Sequence, residues 1–141
     1  MLKGISTKLS PDLLKVIAEM GHGDELVIGD CNFPAASMGK CCVRADGLSG
    51  TEVLDAVLSL FPLDAFVDAP VALMQVMPGT VDGEPPIWND YKAIVEKHET
   101  GKSIEWIDRF DFYERSRRAY ATVATSERAL YACIIIKKGV L

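Results

Sequence analysis

Several things that enzymes and binding proteins commonly carry are missing from this chain. No apolar run approaches the roughly 20 residues needed to span a bilayer. No charged-then-apolar leader precedes the first helix-forming stretch. A cytoplasmic protein that does not engage a membrane is therefore expected. Basic residues are outnumbered, with 15 Lys and Arg against 20 Asp and Glu for a formal net charge of −5. No lysine/arginine stripe outweighs the acids, so nucleic acid is not an expected partner. The GxGxxG fingerprint, the P-loop, GxSxG and HExxH are all absent, which leaves redox, phosphoryl-transfer and metal chemistry without sequence support. No cofactor and no metal are expected. There is no internal repeat, low-complexity tract or linker.

Cysteine is present but not in a ligating pattern. Cys31, Cys41, Cys42 and Cys133 show neither CxxC spacing nor a nearby histidine cluster. Adjacent Cys41 and Cys42 on a strand would point to opposite faces, which makes them poor joint ligands. All four are read as small buried hydrophobes in a reducing compartment. The densest basic group, Arg115, Arg117 and Arg118 beside Glu114, is read as a solvated helix face or a subunit contact.

What remains is an ordinary globular composition, 49% apolar and 25% charged over 141 residues, enough for one domain with a real core. Ser10-Pro11 opens a helix with a good N-cap and a favoured first residue. Leu13, Leu14, Ile17 and Met20 then recur at helical spacing until Gly21. Glu25 to Gly29 reads as a short buried strand, residues 30–40 as a loop and 41–45 as a second strand. Ser49-Gly50-Thr51-Glu52 has capping-box spacing and launches a helix through Leu60. Residues 71–77 read as a central strand and 87–98 as a helix. A strand at 104–107, a helix at 109–118, a strand at 120–124 and an apolar final strand at 131–137 follow. Helices alternating with strands predict a single-domain, three-layer α/β/α sandwich.

The segment MGHGDELVIGDCNFPA, residues 20–35, carries the densest chemistry. His22 lies between two glycines, and its unperturbed pKa near 6.5 suits proton exchange at neutral pH. The other reading of the same spacing is a helix-terminal histidine bonding the last carbonyls. Asp30 closes a buried strand, where α/β proteins commonly place ligand-binding residues. It can accept two sugar hydroxyls or orient His22, or it can simply start an Asx-turn toward Pro34. Together the two read as an acid–base pair at the ends of one strand. Arg109 offers a planar fork of donors to hydroxyls or a carboxylate, or a surface ion pair. Tyr131, with Ala132 and Cys133, opens the final strand and offers an apolar face and a hydroxyl, or a core tyrosine. His98, among Glu96, Lys97 and Glu99, reads as a surface residue.

MLKGIS, MGHGDELVIGDCNFPAASMG, RADG at 44–47, RFDFYER at 109–115 and LYACIIIKKGV closely resemble the fucose branch of the ribose pyranase/fucose mutarotase family. The likeness runs almost end to end. It implies an RbsD-like fold and cofactor-free interconversion of the anomers of L-fucose or a related monosaccharide. It implies His22 as proton donor, with Asp30, Arg109, Tyr131, Ala132 and Cys133 binding sugar. Asp64, Met74 and Tyr113 match further residues used by animal members. The resemblance also implies a homo-oligomer, a decameric ring with sites completed across subunit contacts. Two other activities fit the same motifs, a pyranase acting on ribose-like sugars and a non-catalytic sugar-binding protein assisting uptake. One departure stands out, because the family's asparagine in the closing tripeptide is Cys133 here.

Overall fold

The computed structural model describes residues 2–141. Five helices and six strands alternate in the order α1 (Pro11–Glu19), β1 (Glu25–Gly29), α2 (Ala35–Met38), β2 (Cys42–Ala45), α3 (Gly50–Leu58), β3 (Val71–Met74), α4 (Ile87–His98), β4 (Ile104–Ile107), α5 (Arg109–Arg118), β5 (Ala121–Thr125) and β6 (Ile134–Lys137). The helix starts follow the caps. Ser10 accepts the Leu13 N–H ahead of Pro11. Ser49 and Glu52 form a reciprocal capping box. Asp108 accepts the N–H groups of Phe110 and Asp111 at the start of α5.

The strands form one sheet in the order β2-β5-β1-β6-β3-β4. β1 pairs parallel with β5, β5 with β2, and β3 with β4, whereas β6 runs antiparallel between β1 and β3. Strands β1 to β5 therefore all point one way. Their C-terminal ends share one edge of the sheet with the N-terminal end of β6. Alternation along the strands divides the interior into two cores. Leu26, Ile28, Leu73, Ile134 and Ile136 face α1, α3 and α4. Val27, Ala72, Met74 and Ile135 face α2 and α5 with Phe33 and Phe112. This is the expected three-layer sandwich. No helix among the described residues is long and apolar enough to cross a membrane.

Several local expectations need correction. The stretch 30–40 is not all loop, since α2 forms within it. The final strand starts at Ile134, and Tyr131 adopts a φ of +57°, in a left-handed region that non-glycine residues rarely occupy. The cause lies in α4. Trp88 Nε1 donates to the Tyr131 carbonyl at 3.0 Å and the Tyr91 hydroxyl donates to the Ala132 carbonyl at 2.7 Å. Two carbonyls that a strand would turn toward its neighbours are instead pinned from a helix. Only Cys133 of the four cysteines is buried; Cys31 and Cys41 are exposed.

The arginines divide. Arg117 and Arg118 are exposed, but Arg115 turns inward and bonds Glu25 at 2.7 Å and Glu105 at 2.6 Å. Burial opposes its charge, yet those two carboxylates raise its pKa above the ordinary arginine value. It thereby ties α5 to β1 and β4. His98 is not a free surface residue either, because its Nε2 lies 2.8 Å from Asp55 on α3.

Candidate active site

A cavity of about 250 Å³ opens where the strand ends converge. Asp30, Asn32, Phe33, Met74, Tyr113 and Tyr131 are among its walls, with Thr80, Leu130 and Cys133 completing it. Strand direction explains the gathering. Asp30 follows β1, Met74 ends β3, Tyr113 lies on the helix after β4, and Tyr131 and Cys133 precede the antiparallel β6. Ligands in open α/β sheets bind at this same carboxyl edge.

Asp30 is 9% exposed, and each of its oxygens has a protein partner. Oδ1 accepts the Asn32 N–H at 2.9 Å, which is the expected Asx-turn. Oδ2 accepts the Cys133 thiol at 3.3 Å, while the Asp30 N–H reaches Cys133 Sγ at 3.5 Å. The turn and the site are thus the same feature. An ionised carboxylate offers about four acceptor positions, so Asp30 retains room for sugar hydroxyls. Burial, and after it the charge of Asp30, pushes the Cys133 thiol well above its ordinary pKa.

The Tyr131 hydroxyl is held by a small ring of bonds. The Met77 N–H donates to it at 3.1 Å, and Thr80 Oγ1 lies 2.5 Å away. Thr80 gives its own proton to the Met77 carbonyl at 2.7 Å, so Tyr131 must donate to Thr80. Its hydroxyl can therefore accept one more hydrogen bond, from a ligand, but has no proton left to give. Phe33 stands against Tyr113, with ring centroids 5.9 Å apart. It also packs on Gly29, where any Cβ would meet the Phe33 ring at 2.6–3.0 Å. Arg109 begins α5 at this same edge, its guanidinium 5.1 Å from the Phe110 ring centre and its buried Nε without a partner. Ala132 is buried and contributes backbone.

His22 is elsewhere. It precedes β1, at the opposite edge of the sheet, and its Nε2 lies 3.1 Å from Asp64 Oδ1. The five residues of β1, at about 3.3 Å each, set it roughly 16 Å or more from Asp30. The reading of Asp30 as the carboxylate that orients His22 is thus corrected, because that carboxylate is Asp64. Asp64 is buried and also accepts the Phe66 N–H at 2.9 Å. That backbone bond, with a further contribution from His22, holds its carboxyl below the usual range. As an ionised acceptor, Asp64 requires the proton on Nε2 and leaves Nδ1 to meet a ligand. The imidazole is about half exposed, 47% at the side chain, and lies 5.5 Å from the exposed ring of Phe66.

The candidate residues thus sort into two groups. Asp30, Met74, Tyr113, Tyr131 and Cys133 share the cavity, and Ala132 lies between two of them in the chain. Arg109 starts α5 at the same edge of the sheet without lining the cavity, and His22 and Asp64 form a pair at the far edge. Asn32, Phe33, Thr80 and Leu130 also line the cavity and were not singled out from sequence. Asn32 and Phe33 had a signal, the Asn-Phe-Pro turn after Asp30; Thr80 and Leu130 had none. Among the described residues no three His, Cys, Asp or Glu side chains gather as a metal site would require.

Comparison with known proteins covers nearly the whole chain. It is 46% identical over 145 residues to fucose mutarotase of Homo sapiens, spanning 99% of this chain and 94% of that protein. It is 49% identical to L-fucose mutarotase of Actinobacillus pleuropneumoniae serotype 5b, spanning 99% and 97%. The crystal structure of the Streptococcus pneumoniae fucose mutarotase in complex with L-fucose superposes with a TM-score of 0.95 at 50% identity, covering 99% of both chains. Residues 3–141 match the family model described as the RbsD / FucU transport protein family. With that match spanning the same sheet and both groups of site residues, the chain belongs to the RbsD / FucU family.

Proposed function

We propose that this chain is a cytoplasmic sugar mutarotase that interconverts the α and β anomers of L-fucose. The observation that carries the reading is the cavity at the strand ends. It sets a buried carboxylate and a hydroxyl acceptor beside the rings of Phe33, Tyr113 and Tyr131. Carboxylate and hydroxyl suit the hydroxyl groups of a monosaccharide, and aromatic faces suit its C–H surfaces. Nearly full-length likeness to fucose mutarotases supports the same substrate.

Ring opening removes the proton of the anomeric hydroxyl and delivers one to the ring oxygen. Rotation about the freed C1 bond and reclosure give the other anomer. His22, its Nε2 proton held by Asp64, is the proton donor through Nδ1 when that nitrogen also carries a proton taken up from solvent. The proton of the anomeric hydroxyl passes to water. Asp30 and Arg109 fix hydroxyls, Tyr131 accepts one, and Met74 and Tyr113 form the remaining wall. A single positioned acid–base group contributes about 10²–10⁴-fold, which is useful for a reaction that already proceeds slowly in water.

The two groups lie on opposite edges of one sheet, so a working site takes its cavity from one subunit and its His22–Asp64 pair from another. A ring of identical chains in head-to-tail contact provides that arrangement at every interface, and the decamer implied by the family resemblance is such an assembly.

NMR exchange between the anomeric protons of L-fucose tests the reaction, and acceleration by the wild-type protein is expected. Binding without acceleration would return the chain to a non-catalytic sugar-binding role. Coexpression of the His22→Ala and Asp30→Ala variants tests the shared site. Each is nearly inactive alone, and mixed assemblies regain activity at about a quarter of the sites, where intact halves meet. No recovery in assemblies shown to be mixed would overturn it.

A further inference from the structure

We infer that Cys133 is a positioning residue for Asp30, its thiol holding the carboxylate in its sugar-accepting orientation while leaving its acceptor strength for the substrate. The inference rests on the mutarotase reading above and goes beyond it, because it assigns this side chain a role toward another protein group.

Three observations carry it. First, Asp30 and Cys133 meet through two reciprocal contacts, S–H to Oδ2 at 3.3 Å and the Asp30 N–H to Sγ at 3.5 Å. Second, both residues are buried and both line the cavity. The contact is therefore sheltered from bulk water at a point a ligand can reach. Third, the other oxygen of Asp30 is engaged by the Asn32 N–H. One partner on each oxygen fixes the rotation of the carboxylate plane, and the remaining lone pairs are the ones left for a ligand.

The chemistry of the donor gives the arrangement its direction. A thiol is a weak hydrogen-bond donor, and the Asp30 N–H supplies the weak acceptor on sulfur with a partner. The thiol also stays protonated here, since burial and the neighbouring carboxylate both raise its pKa. A carboxylate bonded to a strong donor has part of its acceptor capacity consumed. One bonded to a thiol is oriented and keeps more of that capacity for sugar hydroxyls. An asparagine amide at this position, as the resemblance implies for the family, would be a stronger donor.

The test separates this inference from the reading beneath it. Wild type is assayed first by anomeric exchange of L-fucose; acceleration there stands or falls with the mutarotase reading alone. Given that activity, Cys133→Ala is expected to raise KM about two- to ten-fold, the range of one weak hydrogen bond. Its kcat stays within about twofold, and Cys133→Ser, which keeps a donor, recovers most of the loss. The S–H stretching band supplies an independent readout. In a wild-type minus Cys133→Ala infrared difference spectrum, the band lies at lower frequency than that of a free thiol. It shifts again when L-fucose is added, and in the Asp30→Asn variant its wild-type position is lost. An unchanged KM in Cys133→Ala would overturn the inference. So would a band indifferent to both sugar and Asp30→Asn, or a Cys133→Ser no better than alanine.

Discussion

The two edges of the sheet solve opposite problems. At the carboxyl edge, Asp30 and the segment around Tyr131 are held from several directions. Asp30 is bonded by its own turn and by Cys133, the Tyr131 hydroxyl by Met77 and Thr80, and the Tyr131 and Ala132 carbonyls by α4. At the amino edge, His22 has one partner, Asp64, and an exposed aromatic neighbour in Phe66. A group that recognises a substrate gains from being fixed before the substrate arrives, because less ordering is left for the binding step. A group that must exchange a proton gains from access. On the proposed reading, recognition and proton transfer are separated by the length of a strand.

The largest expected effect contrasts the two edges directly. Removing the imidazole in His22→Ala should lower kcat by about 10²–10⁴-fold and leave the affinity for L-fucose within a few-fold. Asp30→Ala should instead weaken affinity first, as seen by titration calorimetry. If both variants lost affinity and rate in the same proportion, the division between edges would fail.

Next in size is the scaffold behind the cavity. Tyr91→Phe strands the buried Ala132 carbonyl, which costs about 1–3 kcal/mol of stability by denaturant unfolding. The accompanying loss should appear in sugar affinity and not in the behaviour of His22.

A smaller effect concerns pH. The carboxyl of Asp64 is held below its ordinary range in the folded chain, first by the Phe66 N–H and also by His22. Its contribution to stability is therefore complete above the unfolded carboxylate pKa, near 4, and is lost as pH falls through the lowered folded value. Asp64→Asn should flatten that acid limb in a series of thermal melts.

Much of this was legible in the sequence, for reasons that differ by scale. The starts of α1 and α3 were readable because a cap acts over three or four residues, as Ser10 and Ser49 do. The sandwich was readable because apolar periodicity reports which face is buried. His22 and Asp30 were singled out as candidates, but pairing them was an error of distance. They are close in sequence, while an extended strand is the conformation that moves neighbours farthest apart. The actual partner of His22 lies 42 positions away, and only family resemblance pointed to Asp64. The closing tripeptide failed for another reason. Hydropathy sees side chains, and Tyr131 is turned by bonds to its carbonyl and that of Ala132. Arg115 likewise looked solvated because Glu25, Glu105 and the strands they occupy are brought together only by the fold.

The antiparallel strand between β1 and β3 also has a consequence for how the molecule assembles. β6 is the last strand in chain order and sits inside the sheet, where it joins β2-β5-β1 to β3-β4. Until it docks, the chain holds two partial sheets, each with an open edge where β6 will insert and ready to pair wrongly. Its pairings with β1 span more than 100 positions, and such non-local closure slows folding. Insertion of one apolar strand, Ile134–Lys137, thus both completes the sheet and carries Tyr131 and Cys133 to the cavity. A molecule folded without it would be short of the sheet's middle and of a wall of its binding site.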